Sequence, residues 1–293
     1  MIQETHYQKA LARIEPAALY VVATPIGNLS DITLHALAVL ARADVVCAED
    51  TRVTQQLLAA YGLSKRLLSV REHNEQQMAA KVIDSLAAGQ VVAQVSDAGT
   101  PAVCDPGARL AAQVRAAGFK VVPVAGASAV MAALSVAGVT GSDFYFAGFL
   151  PPKGREKHTR LAQWQESASA VVMFESPHRI SDTLAQMAAL YPERNLMLGR
   201  EISKTFETFL CGTVAEVAAQ VAADANQTRG EMVLVLHPAP PRAAQDVSAE
   251  GARVMGILAA ELPTKQAATL AAAISGDGKK ALYDWALAQK KEA

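Results

Sequence analysis

Five times between residues 18 and 130, a short apolar run stops at a polar or glycine-bearing turn, and an apolar stripe at helical spacing follows. The runs are 19–23, 44–48, 66–70, 91–95 and 119–124. Strands separated by helices cannot close as hairpins. They pair side by side in parallel, with helices covering both faces of the sheet. Right-handed crossovers then bring the carboxyl ends of the strands to one edge. Three of those ends carry polar clusters: Glu49-Asp50-Thr51-Arg52, Arg71-Glu72-His73-Asn74 and Ser96-Asp97. Charged groups at these positions are not core. In open α/β sheets this edge is where ligands bind, so function outweighs a solvated rim.

The fourth strand feeds the most informative turn, residues 94–107 (QVSDAGTPAVCDPG). Its small residues let a ligand approach the backbone, Asp97 adds a carboxylate, and Pro106 suits an early helical position. Alone it reads equally as a ligand site or as a tight structural turn.

A length of 293 residues suggests about two domains, and 51% hydrophobic with 19% charged residues describes a folded chain. The formal net charge of −1 offers no global basic field, so any RNA binding needs a local patch. Cys47, Cys104 and Cys211 are odd in number, far apart and never paired as CxxC, which fits a reducing cytoplasm and neither a disulfide framework nor a zinc site. No metal is expected. The opening residues 1–16 spread their charges through the segment, unlike a signal peptide, and read as a polar leader. An uncharged run at 121–142 is broken by Pro123, Gly126 and Gly138, and divides into strand, turn and buried helix rather than a membrane span.

A new strand at 144–150 marks a domain boundary. After it, residues 153–158 (KGREKH) read as a basic loop, either solvated or contacting phosphate. Strands follow at 170–174, 196–199, 206–210 and 232–236, the last one central. The expected division is an α/β domain at 18–143, a second at 144–237, a proline-rich linker at 238–246 and three short helices at 247–293. The helices are either helix-turn-helix-like or a cap on the main body.

Several motifs recur in a fixed order. Thr24-Pro25-Ile26-Gly27-Asn28, Glu49-Asp50-Thr51-Arg52, Ser96-Asp97-Ala98-Gly99-Thr100-Pro101 and Gly126-Ala127-Ser128 are followed by Glu175-Ser176-Pro177-His178-Arg179, Arg200-Glu201-Ile202-Ser203-Lys204 and Arg229-Gly230-Glu231. Together they resemble the tetrapyrrole-methylase superfamily over residues 18–236, and within it the branch that methylates a ribose 2′-hydroxyl of ribosomal RNA. The tail resembles that branch's helix-turn-helix extension. Porphyrin-acting relatives open with a GxGxPG turn, and this chain has Thr-Pro-Ile-Gly-Asn there. It also departs from many relatives at Ala125 and Arg229.

The resemblance implies two α/β domains with S-adenosylmethionine in the cleft between them, in a cytoplasmic homodimer with no membrane attachment. The implied partner is 16S ribosomal RNA or the small ribosomal subunit, methylated at the 2′-hydroxyl of one cytidine in the decoding region. By family match the cofactor contacts are Pro25, Ala98, Gly99, Thr100, Val103, Ser128 and Ala129, with Glu175 and Ile202 closing the other side. Two further functions stay open: a tetrapyrrole C-methyltransferase of the same superfamily, and a non-catalytic RNA-binding module that keeps the fold.

Transfer to a hydroxyl needs the oxygen aligned with the methyl carbon and a group to take the leaving proton. Candidates at strand ends are Asp50, His73, Glu175, His178, Glu201 and Lys204. Lys204, lowered in pKa by nearby cations and oriented by Glu201, is the preferred pair. Each could equally be an interdomain ion pair. Arg52, Arg71, Arg179 and Arg200 are expected to hold phosphates.

Overall fold

The computed structural model describes residues 2–152, 154–241 and 246–292. Five strands, β1 (Ala18–Val22), β2 (Val45–Ala48), β3 (Arg66–Ser69), β4 (Val92–Val95) and β5 (Lys120–Val124), form a parallel sheet in the order β3-β2-β4-β1-β5. The period of two along each strand sends alternate residues to opposite faces. Tyr20, Val22, Val46 and Ala93 pack with Val39 and Leu40 of helix α2 (Leu34–Arg42) and Leu58 of helix α3 (Thr51–Ala60). Leu19, Cys47 and Val92 face Val82 and Leu86 of helix α4 (Glu75–Ala87), with Leu110 and Val114 of helix α5 (Ala108–Ala116). Both faces are therefore covered at the centre of the sheet, which is why β1, β2 and β4 are buried and largely apolar while the edge strands β3 and β5 begin with exposed Arg66 and Lys120.

Short polar side chains start the crossover helices. Thr33 accepts the Ala36 amide at 3.0 Å and Asp50 the Arg52 amide at 2.8 Å, while Ser128 caps helix α6 (Ala129–Val136). Two local expectations change. Part of the leader is a helix, α1 (Ile2–Leu11), packed against α2. Helix α5 starts at Ala108 after Gly107, so Pro106 lies outside it. A Cβ at Gly107 would stand 1.6 Å from the Gln94 amide nitrogen, and Gly107 has φ of 132°, so only glycine fits there.

The second sheet begins at β6 (Phe144–Phe149) and adds β7 (Ala170–Glu175), β8 (Asn195–Arg200), β9 (Thr208–Thr213) and β10 (Met232–Leu236) in the order β6-β7-β10-β8-β9. Only the β6–β7 pair is parallel. The segment read as a basic loop is instead helix α7 (Gly154–Ala162), which buries Lys157 and Leu161; Lys153 lies outside the described residues. One sheet face packs on α7, on α8 (Ile180–Leu190) and on α9 (Val214–Ala223), whose first turn has a Thr213–Glu216 capping box. The other face sets Val172, Met197 and Val233 against Ile26 and α6 residues Val130 and Ala133. That shared core makes one compact unit of everything up to Ala239.

Pro240 opens a second compact unit. The expected linker falls partly on residues 242–245, outside the described residues. Helices α10 (Ala249–Glu261), α11 (Thr264–Ser275) and α12 (Lys279–Glu292) bury their own core of Val254, Met255, Ala268, Ala271 and Leu282. Gly276, left-handed with φ of 77°, ends α11. Among the described residues no helix is long and apolar enough to cross a membrane.

Candidate functional site

The turn after β4 is held by the turn after β1. Thr24 donates its amide to the Gly99 carbonyl at 2.8 Å and accepts the Gly99 amide at 3.1 Å. Gly99 has φ of 75°, and Ala102 and Cys104 follow at 68° and 66°. Two non-glycine residues in the left-handed region cost about 1–3 kcal/mol each, a strain that accumulates at working sites. Thr100 donates its hydroxyl to the Ala127 carbonyl at 3.2 Å, joining this turn to the one before α6.

These turns form one wall of a pocket of about 350 Å3 between the two sheets. Ala98, Gly99, Thr100, Val103, Ser128 and Ala129 line one side, and Glu175 and Ile202 line the other. Pro25 is buried but does not line it. Its neighbour Ile26 does, because successive residues of an extended turn point to opposite sides. The sequence reading also missed Phe149, Phe174, Met232 and Val233. Apolar residues on strands carry no signal that separates a pocket wall from core.

Glu175 has no free oxygen to offer. Its carboxylate accepts from Thr183 Oγ1 at 2.6 Å and the Ser176 amide at 2.8 Å, and pairs with Arg179 at 2.6 Å. Behind it, fully buried Lys157 lies 3.9 Å away and bonds Asp182 at 2.8 Å. That bond, followed by one from Gln186, holds the Asp182 pKa below the usual carboxylate value. Arg179 is thus an ion-pair partner rather than a free phosphate ligand. Arg200 is buried too, bonded to Gln227, the Phe206 carbonyl and Thr208.

Lys204 is not flanked by cations. Its ammonium lies 2.9 Å from both Glu201 and Glu231, and it does not line the pocket. Burial pushes its pKa down, but the hydrogen bonds to the two carboxylates outweigh burial and hold it above the ordinary lysine value. Burial likewise pushes Glu201 up, and the Glu231 amide and Lys204 bring it below normal. A lysine so held is protonated at neutral pH and cannot accept a proton. The preferred acceptor is therefore corrected to an ion-pair clasp, with Glu201 orienting Lys204 within it. The clasp joins the halves: a Cβ at Gly27 would meet Lys204 Cε at 2.4 Å, and Asn28 donates to Ser203 at 3.4 Å.

The polar strand ends meet in a separate cleft of about 730 Å3, lined by Glu49, Arg52, Arg71, His73, Asp105 and Arg109 among others. Asp97 accepts the Asp50 amide at 3.0 Å and so ties β4 to β2. Asp50 is clamped by Arg52 at 2.6 Å, and this side-chain hydrogen bond holds its pKa far below normal. Glu75, buried, accepts the Leu110 amide at 2.7 Å, a structural role. His178 is exposed and lines neither cavity. Cys47 is buried, which pushes its thiol up to about 12 and leaves it inert. No group of His, Cys, Asp and Glu among the described residues is arranged to hold a metal.

The chain matches a family model described as Tetrapyrrole (Corrin/Porphyrin) Methylases over residues 18–218, and one described as RsmI C-terminal HTH domain over 245–290. Ribosomal RNA small subunit methyltransferase I of Neisseria meningitidis serogroup B is 65% identical over 289 residues, 99% of each chain. Its namesake in Vibrio cholerae is 45% identical, across 92% of this chain and 94% of its own. Among solved structures, the uroporphyrin-III C-methyltransferase of Thermus thermophilus aligns with a TM-score of 0.52 at 22% identity, over 75% of this chain and 94% of that one. At that identity the likeness shows the fold alone. With two sheets, a small-residue pocket between them and relatives matched almost end to end, the chain belongs to the ribosomal RNA small subunit methyltransferase I branch of the tetrapyrrole methylase family.

Proposed function

We propose that the chain transfers a methyl group from S-adenosylmethionine to the 2′-hydroxyl of a cytidine in the decoding region of 16S ribosomal RNA. One observation carries the reading: a small-residue pocket lies next to a cleft lined by Arg52, Arg71 and Arg109. A volume of about 350 Å3 falls in the range of small-molecule sites, and its walls fit the cofactor. The turns at 98–100 and 128–129 bring small residues to the wall, so that a ligand with adenine edges, hydroxyls and an amino-acid end can approach the backbone closely. Ile26, Phe149 and Phe174 exclude water from its apolar parts. When bound, the cofactor supplies an electrophilic methyl carbon on a sulfonium.

The remaining work belongs to the protein. Arg71 and Arg109, which have no ion-pair partner among the described residues, hold phosphates beside the exposed, Asp50-paired Arg52, which positions the strand and leaves base choice to other contacts. Ala98, Gly99 and Thr100 fix the cofactor, so that the ribose oxygen can reach it in line. Glu175, with its carboxylate fully bonded inward, shapes the opposite wall. A homodimer working in the cytoplasm belongs to the same reading.

The test is transfer of labelled methyl to small ribosomal subunits from a strain lacking the protein, with the product mapped by nucleotide. One methylated ribose in the decoding region is expected. Cofactor binding with no transfer to any RNA would instead favour a non-catalytic RNA-binding module.

A further inference from the structure

The two cavities meet at one stretch of backbone. Cys104 and Asp105 are the described residues that line both the small-residue pocket and the arginine-bearing cleft. A methyl donor held in the first and a ribose held in the second have to meet along this seam.

Three carboxylates line the pocket: Asp105, Glu175 and Glu231. Glu175 is enclosed by Thr183, Arg179, the Ser176 amide and Lys157. Glu231 is held by Lys204 at 2.9 Å. Asp105 has no ion-pair partner among the described residues, and the hydroxyl of nearby Ser96 donates to the Ala98 carbonyl at 3.2 Å. In the cleft, Asp50 is clamped by Arg52, Asp97 is engaged by the Asp50 amide, and Glu49 does not reach the pocket.

We propose that Asp105 is the acceptor of the proton leaving the ribose 2′-hydroxyl, a role that rests on the methyltransferase reading above. The 2′-oxygen bonds to the methyl carbon as its O–H bond breaks. The proton goes to the Asp105 carboxylate, and the electron pair of the broken C–S bond stays on sulfur. The cationic donor becomes a neutral thioether and the aspartate a neutral acid, so charge balances.

The surroundings suit this task. Burial raises the Asp105 pKa, the nearby Ser96 hydroxyl opposes the rise, and neighbouring Asp97 adds to it. Asp105 in turn raises Glu49 and Cys104, each of which is lifted first by burial. Arg71 acts on Glu49 from the end of β3, and Arg109 lines the cleft from α5. A more basic carboxylate is a better proton acceptor. The left-handed backbone at Cys104 presents the next residue to both cavities.

The experiment compares full-length wild type with Asp105→Asn and Asp105→Glu in single-turnover methylation of small subunits across pH, with cofactor affinity measured by calorimetry. Asp105→Asn should bind cofactor within about twofold of wild type, react about 10²–10⁴-fold more slowly, and lose the acidic limb of the wild-type pH–rate profile. Asp105→Glu should keep a measurable rate and retain that limb. A rate for Asp105→Asn within tenfold of wild type, an unchanged acidic limb, or loss of cofactor binding would each overturn the assignment. Wild type that methylates no subunit would sink the parent reading instead.

Discussion

Gly99 and Lys204 show how differently two residues of one site depend on their surroundings. Gly99 stands at φ of 75° inside the paired turn with Thr24, with Ile26 Cγ2 3.4 Å from where a Cβ would be. A β-branched residue there is strained. Gly99→Val should leave the domain folded by circular dichroism and weaken cofactor binding about tenfold or more. Unchanged affinity by calorimetry in a folded variant would refute the turn's role. Lys204 contributes by pairing, so Lys204→Met should cost about 1–2 kcal/mol of stability, after discounting for solvent at largely exposed Glu231. The folded pKa of Lys204 is raised, so its contribution is complete below the unfolded value of about 10.4 and is lost as pH rises through the folded one. Denaturant unfolding at neutral pH and near pH 11 checks this: the gap between variant and wild type should narrow at the higher pH. A constant gap would show that packing over Gly27, not charge, is what the lysine supplies.

The strands and the small-residue turns were legible at the scale of elements because their signals are local. An apolar run of five residues before a polar turn has few other folds available, and the helix starts carry Thr33, Asp50, Ser128 and Thr213 as caps. Helix α7 was not legible. Its nine residues include several charges and Leu161 as the one large aliphatic, so the segment looks solvated. Only the tertiary fold supplies Asp182 and Glu175 to neutralise Lys157. Removing one partner of a buried pair leaves uncompensated charge, so Lys157→Met should cost about 3–5 kcal/mol in urea unfolding. A loss under about 1 kcal/mol would mean that Arg179 and Thr183 suffice for Glu175.

At the scale of the molecule, the α/β body and the helical tail are separate compact units with separate cores. Ending the chain after Pro241 should therefore leave cofactor affinity unchanged while weakening methylation of small subunits. Equal activity of the shortened and full chains on subunits would reduce the tail to an appendage. The sequence by itself determined the alternation of strand and helix, hence a parallel sheet with its polar ends at one edge. It also determined the small-residue turns, since period and backbone freedom are properties of neighbours in the chain. The tertiary structure decided which charged groups are neutralised: Lys204 by Glu231, Glu175 by Arg179 and Lys157, and Asp105 by none of the described cations. Ionisation depends on contacts within about 4 Å between residues far apart in sequence, and no spacing along the chain encodes those distances.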